Sequence, residues 1–251
     1  MRKFLILTTA LAALIAVSVA GLATAAGEKP VTVEAGNLIF TFNGGFSPSK
    51  LPKNKMAPIS LTAAGKIRTK DGSHPPALKS VVVETDKNGS IDVKGVPKCT
   101  SGQLQARDTK AAEKACGDAI IGTGTTKVEV QFPEQPKIPV TSKLLVINGG
   151  FSGGTTTLYI HAYFSAPVSG AIVTTLKIKK HKNGRYGIKT IATIPKIAGD
   201  GAVTDFNLTI GKTKRVLFAQ CADGKLQAHA TAIFEDGTKA SATIIRTCTG
   251  T

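Results

Sequence analysis

Apolar and polar residues alternate along this chain in short runs, broken about every ten residues by Gly, Pro, Asn or Asp. Alternation of period two is that of a strand with one buried face, and its recurrence at this spacing is the all-β pattern. The runs are 38–42, 59–68, 78–85, 90–94, 120–132, 143–147, 156–164 and 171–180. The series continues through 188–194, 202–210, 214–219, 225–234 and 239–247, so about thirteen strands are predicted. Asn88-Gly89 and Asn183-Gly184 each join two runs and are expected to form hairpins, because Asn-Gly tolerates the positive φ angles of a type I′ turn.

One helix is expected at 108–116, with Asp108 as its cap, Ala111, Ala112 and Ala115 in its body, and Gly117 just past its end. Two turns are not stable alone, so this segment needs a tertiary anchor. Cys99, Cys116, Cys221 and Cys248 supply the means. An even set in an exported chain points to disulfides, and the sequence-local pairs Cys99–Cys116 and Cys221–Cys248 are expected. Zinc is disfavoured, because the chain has no C-x-x-C pair and no His close to a Cys. The hairpin 225–247 would set Cys248 opposite Lys225. If Cys221 flanked the same strand in one flat sheet, about 9.6 Å would separate the pair, beyond the roughly 7 Å reach of a disulfide. If the pair forms, one Cys must therefore leave the ladder, or the strand ending at Ala219 must lie in a facing sheet, and either arrangement favours a sandwich corner over a simple meander.

Pro133, Pro136 and Pro139 cannot sit in a central strand, so 133–142 reads as a linker between a first β-sandwich-like domain at 26–132 and a second at 143–251. Asn43-Gly44-Gly45-Phe46-Ser47 recurs as Asn148-Gly149-Gly150-Phe151-Ser152, a faint echo between the halves. The expected fold class is all-β: two β-sandwich-like halves with one short helix.

The N-terminus departs from this pattern. Arg2 and Lys3 precede an uncharged apolar run from Phe4 to Leu22 and a small-x-small sequence at Ala23-Thr24-Ala25, so residues 1–25 read as a signal peptide cleaved near Ala25. Its removal leaves 30 Lys+Arg against 16 Asp+Glu, a net of +14. The excess is uneven: no acidic residue lies between Glu134 and Asp200, a stretch with nine Lys or Arg. Such a field favours encounter with anionic partners.

Its densest part is the hairpin 177–189, where Lys177, Lys179, Lys180, Lys182, Arg185 and Lys189 form the expected anionic-ligand-binding set. Alternation puts Leu176 and Ile178 on one face, with Lys177 and Lys179 on the other. Lysines on a strand also protect an exposed sheet edge. Gly211-Lys212-Thr213-Lys214-Arg215 is a second cluster that would extend the patch. No Trp and only three Tyr disfavour a sugar platform or a nucleic-acid stacking surface. The partner expected is an anionic cell-wall polymer or membrane surface, with no nucleic acid and no small-molecule substrate.

Catalytic patterns are sparse. Gly150-Phe151-Ser152-Gly153-Gly154 matches G-x-S-x-G, but that motif works on a strand-to-helix turn, and Thr155 to Ile160 read as strand. A secreted serine hydrolase using Ser152, with His161, His181 or His229 as base, is the alternative to a non-catalytic protein. His161 shares a strand face with Tyr159 and Tyr163, a half-buried aromatic face, while His74 and His181 are expected in solvent. No metal ligands, cofactor or catalytic residues are expected.

The Ala-x-x-x-Cys-Gly-x-Ala-x-Ile-Gly-x-Gly pattern from Ala112 to Gly124, with the Gly-Phe-Ser and His-Ala-Tyr stretches, resembles a group of secreted bacterial β-rich proteins to which no activity is attached. The resemblance covers most of the mature chain and implies export and the four-Cys layout, with no catalytic residue.

Overall fold

A computed structural model describes residues 29–251; the expected signal peptide lies outside the described residues. Each of the thirteen predicted runs overlaps a strand, the run at 90–94 only in its first two residues. In chain order the first six strands are β1 (Val31–Ala35), β2 (Leu38–Ser47), β3 (Lys50–Leu51), β4 (Ala57–Thr69), β5 (Leu78–Asp86) and β6 (Gly89–Ile91). Helix α1 (Thr109–Cys116) precedes β7 (Ile120–Gln131), β8 (Ile138–Ser152), β9 (Thr155–Phe164), β10 (Gly170–Asn183) and β11 (Tyr186–Thr193). The remainder are β12 (Asp200–Ile210), β13 (Leu217–Ala219), β14 (Lys225–Phe234), β15 (Lys239–Thr247) and β16 (Thr249–Gly250).

Twelve of these strands form one continuous antiparallel run in the order β1-β2-β4-β12-β7-β8-β9-β10-β11-β5-β14-β15. The chain's two halves share it. β5, from the first half, lies between β11 and β14, while β12, from the second, lies between β4 and β7. The boundary expected at 133–142 is accordingly a turn inside the sheet rather than a break between two sheets. Residues 133–137 form the turn, and β8 already begins at Ile138, with Pro139 opposite Glu129 and the ladder in unbroken register as far as Val146 opposite Gly122. A proline near the first residue of a strand forfeits one donor and leaves the rest of the pairing intact.

The sheet curls until β15 lies against β1 and β2. Arg246 on β15 donates to Gly44 O and to Asn43 Oδ1 on β2, joining the two ends through a side chain. Alternation now has a direction: inward positions meet across the curl. Phe40 and Phe42 of β2 pack with Ile67, Leu78, Ala232 and Phe234 in one cluster, the Phe40 and Phe234 rings edge-on at 6.4 Å. Ile121, Val146, Leu158, Leu176 and Ile178 form another further along the sheet. Each fully buried Leu, Ile or Phe contributes about 1.5–3 kcal/mol of transfer free energy, so the alternating positions fix the register. The close approach of β7 and β12 needs Gly124, since a Cβ there would lie 1.9 Å from Asn207 O.

The expected helix forms and is capped as read: Asp108 Oδ1 accepts from Ala111 N at 2.7 Å. Gly117 does not take the left-handed conformation expected of it, with φ −51°, because the chain continues into a short 3-10 turn at Gly117–Ala119. The segment that carries α1 lies on the outer face of the sheet, where Leu104, Ala112 and Ala119 pack on Leu145, Ile147 and Tyr159. Cys99–Cys116 closes it.

Cys221–Cys248 also forms, with Cα atoms 5.9 Å apart, and the geometric conflict is resolved as the sequence requires. The strand ending at Ala219 pairs with β4 and β6 instead of β14. In the terminal hairpin Lys225 faces Thr247, one residue off the expected pairing. Asn88-Gly89 is the exception among the turns. β5 and β6 do not pair, and Asn88 is buried at a corner, its N–H donating to Asp86 Oδ1 and its C=O accepting from Gln220 N. A turn still forms at residues 87–88, closed by that local Asp86 bond, but the chain leaves it to pair with β13 rather than folding back on β5.

Candidate functional site

The hairpin β10–β11 turns at Gly184-Arg185, one residue later than expected: Asn183 still pairs with Tyr186 as the end of β10, and of the Asn-Gly pair only Gly184 takes a positive φ, +57°. Leu176 and Ile178 are buried, while Lys177, Lys179, Lys180 and Lys182 are exposed, so the alternation read from sequence is realised. Past Ile178 the core ends, and a register shift between Lys180 and Asn183 leaves the tip free of the inner face.

The six cationic residues divide into two groups. Lys177, Lys179, Lys180 and Lys182 make no ion pair among the described residues; Lys177 Nζ donates to Thr157 Oγ1 at 3.0 Å, a neutral partner that leaves its charge uncompensated. Arg185 is compensated. Its Nε donates to Asp86 Oδ2 at 2.6 Å, both Nη groups reach Asp223, and Nη2 also donates to Lys225 O at 2.6 Å. The Asp223 and Asp86 carboxylates hold the guanidinium in its charged form, and Asp223 is in turn held below the usual carboxylate range by Arg185. Asp86 is buried and also accepts from Asn88 N and Gln227 N, so Arg185 anchors β10–β11 to β14 and the 221–224 turn. Lys189 pairs in register with Glu84, whose carboxylate accepts from Asn183 Nδ2 and faces His181 Nε2 at 2.8 Å. The Asn183 hydrogen bond and the neighbouring His181 and Lys189 keep Glu84 below its ordinary range despite partial burial. The open side of the hairpin is therefore the four lysines, and the side toward β5 is neutralised.

Two cations that lie outside the hairpin sequence join it in space. Lys87 is exposed beside its turn, where Lys87 N donates to Arg185 O at 2.9 Å. Lys98 is exposed beside the tip of β8–β9, its aliphatic stem near Gly150. The neighbouring tip is brought in by register, with Ser152 opposite Thr155 and Thr155 opposite Lys179. By contrast, the 211–215 cluster follows Ile210, whose cross-strand row passes through Gly122, Val146 and Ile160 to Thr174, nine residues short of Asn183. Lys177 is close to Thr174 along β10, and what separates Lys212 and Arg215 from the hairpin lysines is the four strand steps from β12 to β10, about 19 Å across the sheet. Lys214 is occupied by a bond to Asp118 O.

Ser152 occupies an exposed position at the end of β8, and Gly153 and Gly154, at φ +54° and +72°, return the chain directly into β9. The turn is strand-to-strand and aims no helix at the hydroxyl. No histidine or carboxylate hydrogen-bonds Ser152 among the described residues. His181 on the neighbouring hairpin is directed toward Glu84, and His229 bonds Thr243.

The remaining histidines are structural neighbours of other elements. His161 faces Tyr159's side of β9 as expected, but the α1 segment covers it completely, and its Nε2 lies 3.0 Å from Arg107 O. Burial pushes its pKa down. His74 is not in solvent: its side chain is 7% exposed and Nδ1 sits 2.8 Å from Glu129 Oε1, which Lys137 also approaches. The proline pair that follows His74 leads directly into β5 and carries the ring against β7. No group of His, Cys, Asp and Glu is arranged to hold a metal among the described residues.

No protein-family model and no curated relative matches this chain. Its function must be argued from the surface itself.

Proposed function

We propose that this is an exported, non-catalytic β protein of the cell envelope or extracellular space that binds anionic polymer through the β10–β11 hairpin. The observation that carries the reading is the presence of four exposed lysines, Lys177, Lys179, Lys180 and Lys182, with no ion pair among the described residues, on a hairpin whose Arg185 is paired with Asp86 and Asp223 and whose Lys189 lies in register with Glu84. Lys177 and Lys179 lie on the outer face and Lys180 and Lys182 at the alternate positions beyond the end of β9, so uncompensated positive charge is concentrated at this end of the hairpin, where it steers and holds a polyanion through long-range attraction. Edge protection does not account for Lys177 and Lys179, where β10 is paired on both sides, by β9 and β11; Lys180 and Lys182 lie past the last residue that β9 pairs.

Export is supported by the N-terminal sequence and by the two disulfides, which persist in oxidising compartments. The testing experiment is retention of the mature protein on its own cell-wall fraction, titrated from low to high salt beside a variant with all four lysines changed to Glu. Salt-sensitive retention that the variant loses is the expected result. Equal retention of both proteins would overturn the reading.

A further inference from the structure

The β8–β9 tip beside the lysines carries a feature that a soluble polyanion would not use. Phe151 is 59% exposed, more than any other large apolar side chain among the described residues. A singly exposed apolar residue is ordinary on a protein surface. The setting of Phe151 is different: Phe151, Ser152, Gly153 and Gly154 are four consecutive exposed residues, so the tip projects from the sheet. Phe151 pairs with Thr156, which pairs with Ile178, so its backbone is two strand spacings, about 10 Å, from the residue between Lys177 and Lys179. Lys98 lies against Gly150 on the same tip. The nearby carboxylates Glu84, Asp86 and Asp223 lie beyond β10, toward β5 and β14, and are engaged there.

We infer that this double tip docks on an anionic lipid bilayer, with Phe151 entering the boundary between headgroups and acyl chains and Lys98, Lys177, Lys179, Lys180 and Lys182 contacting the headgroups. The inference rests on the proposed cationic site and assigns its partner. Charge complementarity supplies the approach, and each lysine near an anionic surface adds to the attraction. An aromatic ring exposed at a projecting tip gains only where an apolar phase lies below the charges, which a bilayer supplies and a hydrated polymer does not. The chain carries no Trp, so the usual interfacial anchor is absent and Phe151 stands in its place.

The same absence provides the test. Phe151→Trp introduces a single indole, read by excitation at a wavelength where Tyr does not respond. Vesicles of phosphatidylglycerol mixed with phosphatidylcholine should shift its emission to the blue, and vesicles of phosphatidylcholine alone should not. Phe151→Ser should fold as the parent does, because the side chain is exposed, and should lower partitioning to the anionic vesicles about tenfold while leaving retention on wall polymer unchanged. An unshifted emission with undiminished vesicle binding by Phe151→Ser would overturn the inference, and if that binding remained lysine-dependent the proposed function would stand. Retention on wall polymer without any vesicle binding would likewise overturn the inference alone. Loss of both would overturn both.

Discussion

Arg185 distinguishes this structure from a reading of the hairpin as six equivalent cations. Arg185→Ala removes the guanidinium from Asp86, whose side chain is 5% exposed, and leaves that carboxylate with two backbone donors, Asn88 N at 2.9 Å and Gln227 N at 3.1 Å. Deleting one partner of a buried pair costs about 3–5 kcal/mol. The two surviving N–H donors and the 20% exposure of Arg185 reduce this, and the half-exposed Asp223 adds little, so the expected loss is about 2–3 kcal/mol. With a urea dependence of about 3 kcal/mol per molar for a chain of this size, the unfolding midpoint should fall by about 0.7–1 M. Lys180→Ala, on the open side, should stay within about 0.5 kcal/mol of the parent. Equilibrium urea unfolding followed by far-UV circular dichroism measures both. If Arg185→Ala unfolds at the parent's midpoint and weakens polyanion binding as much as Lys180→Ala does, Arg185 is a ligand contact and the division of the hairpin is wrong.

Four further outcomes are expected. Breaking Cys221–Cys248, which closes a loop of 27 residues, by Cys221→Ser with Cys248→Ser should cost about 3.5 kcal/mol in the loop-entropy account, read by the same urea titration. Gly124→Ala should cost more than about 3 kcal/mol or prevent folding, because its Cβ would meet the Asn207 carbonyl at 1.9 Å, whereas Gly102→Ala, with open space around it, should be tolerated. Leu104→Ala empties a fully buried site under the α1 segment and should destabilise by about 2–5 kcal/mol in thermal or urea unfolding. His161 titrates below its ordinary value of 6.5 because it is buried, so the unfolded chain binds the proton more readily. Its contribution is fully present above about pH 6.5 and is lost as pH falls through the folded value, with Arg107 O and Asp108 giving partial relief. His161→Gln should therefore show a smaller drop in Tm between pH 7 and pH 5 than the parent, and identical drops would refute the assignment.

Local features of this fold were legible and distant ones were not, for a physical reason in each case. Period-two alternation marked the thirteen principal strands because each has one buried face, and Asp108 and the alanine-rich turn marked α1 because capping is a contact three residues long. The 17-residue and 27-residue Cys separations favoured the pairs that form, and the strand-spacing limit left two alternatives, of which the structure realises a strand ending at Ala219 that pairs away from the terminal hairpin, with β4 and β6. β1 is a five-residue edge strand, and β3 and β16 have two residues each, too short for periodicity to register. The two halves of the chain offered no local mark of their interleaving, because the insertion of β5 between β11 and β14 is a property of the closed sheet. The site follows the same division. Exposure of Lys177 and Lys179 was set by alternation, but the pairing of Arg185 with Asp86 spans 99 residues, and that of His74 with Glu129 spans 55. Lys87 and Lys98 joined the hairpin only through the fold. Of the two, Lys98 had a signal: it precedes Cys99 in a segment that a disulfide had to hold somewhere on the sheet.

The central claim is that the uncompensated lysines of β10–β11 bind polyanion. The most direct measurement is the affinity of the mature protein for a defined poly(glycerol phosphate) across a range of salt concentrations. It would be made on the parent, on a variant with Lys177, Lys179, Lys180 and Lys182 changed to Gln, and on Arg185→Lys as the control that keeps the charge. The account predicts a steep loss of affinity with salt for the parent and for Arg185→Lys, and a weak, nearly salt-independent interaction once the four lysines are neutral. An unchanged salt dependence in the four-lysine variant would contradict it.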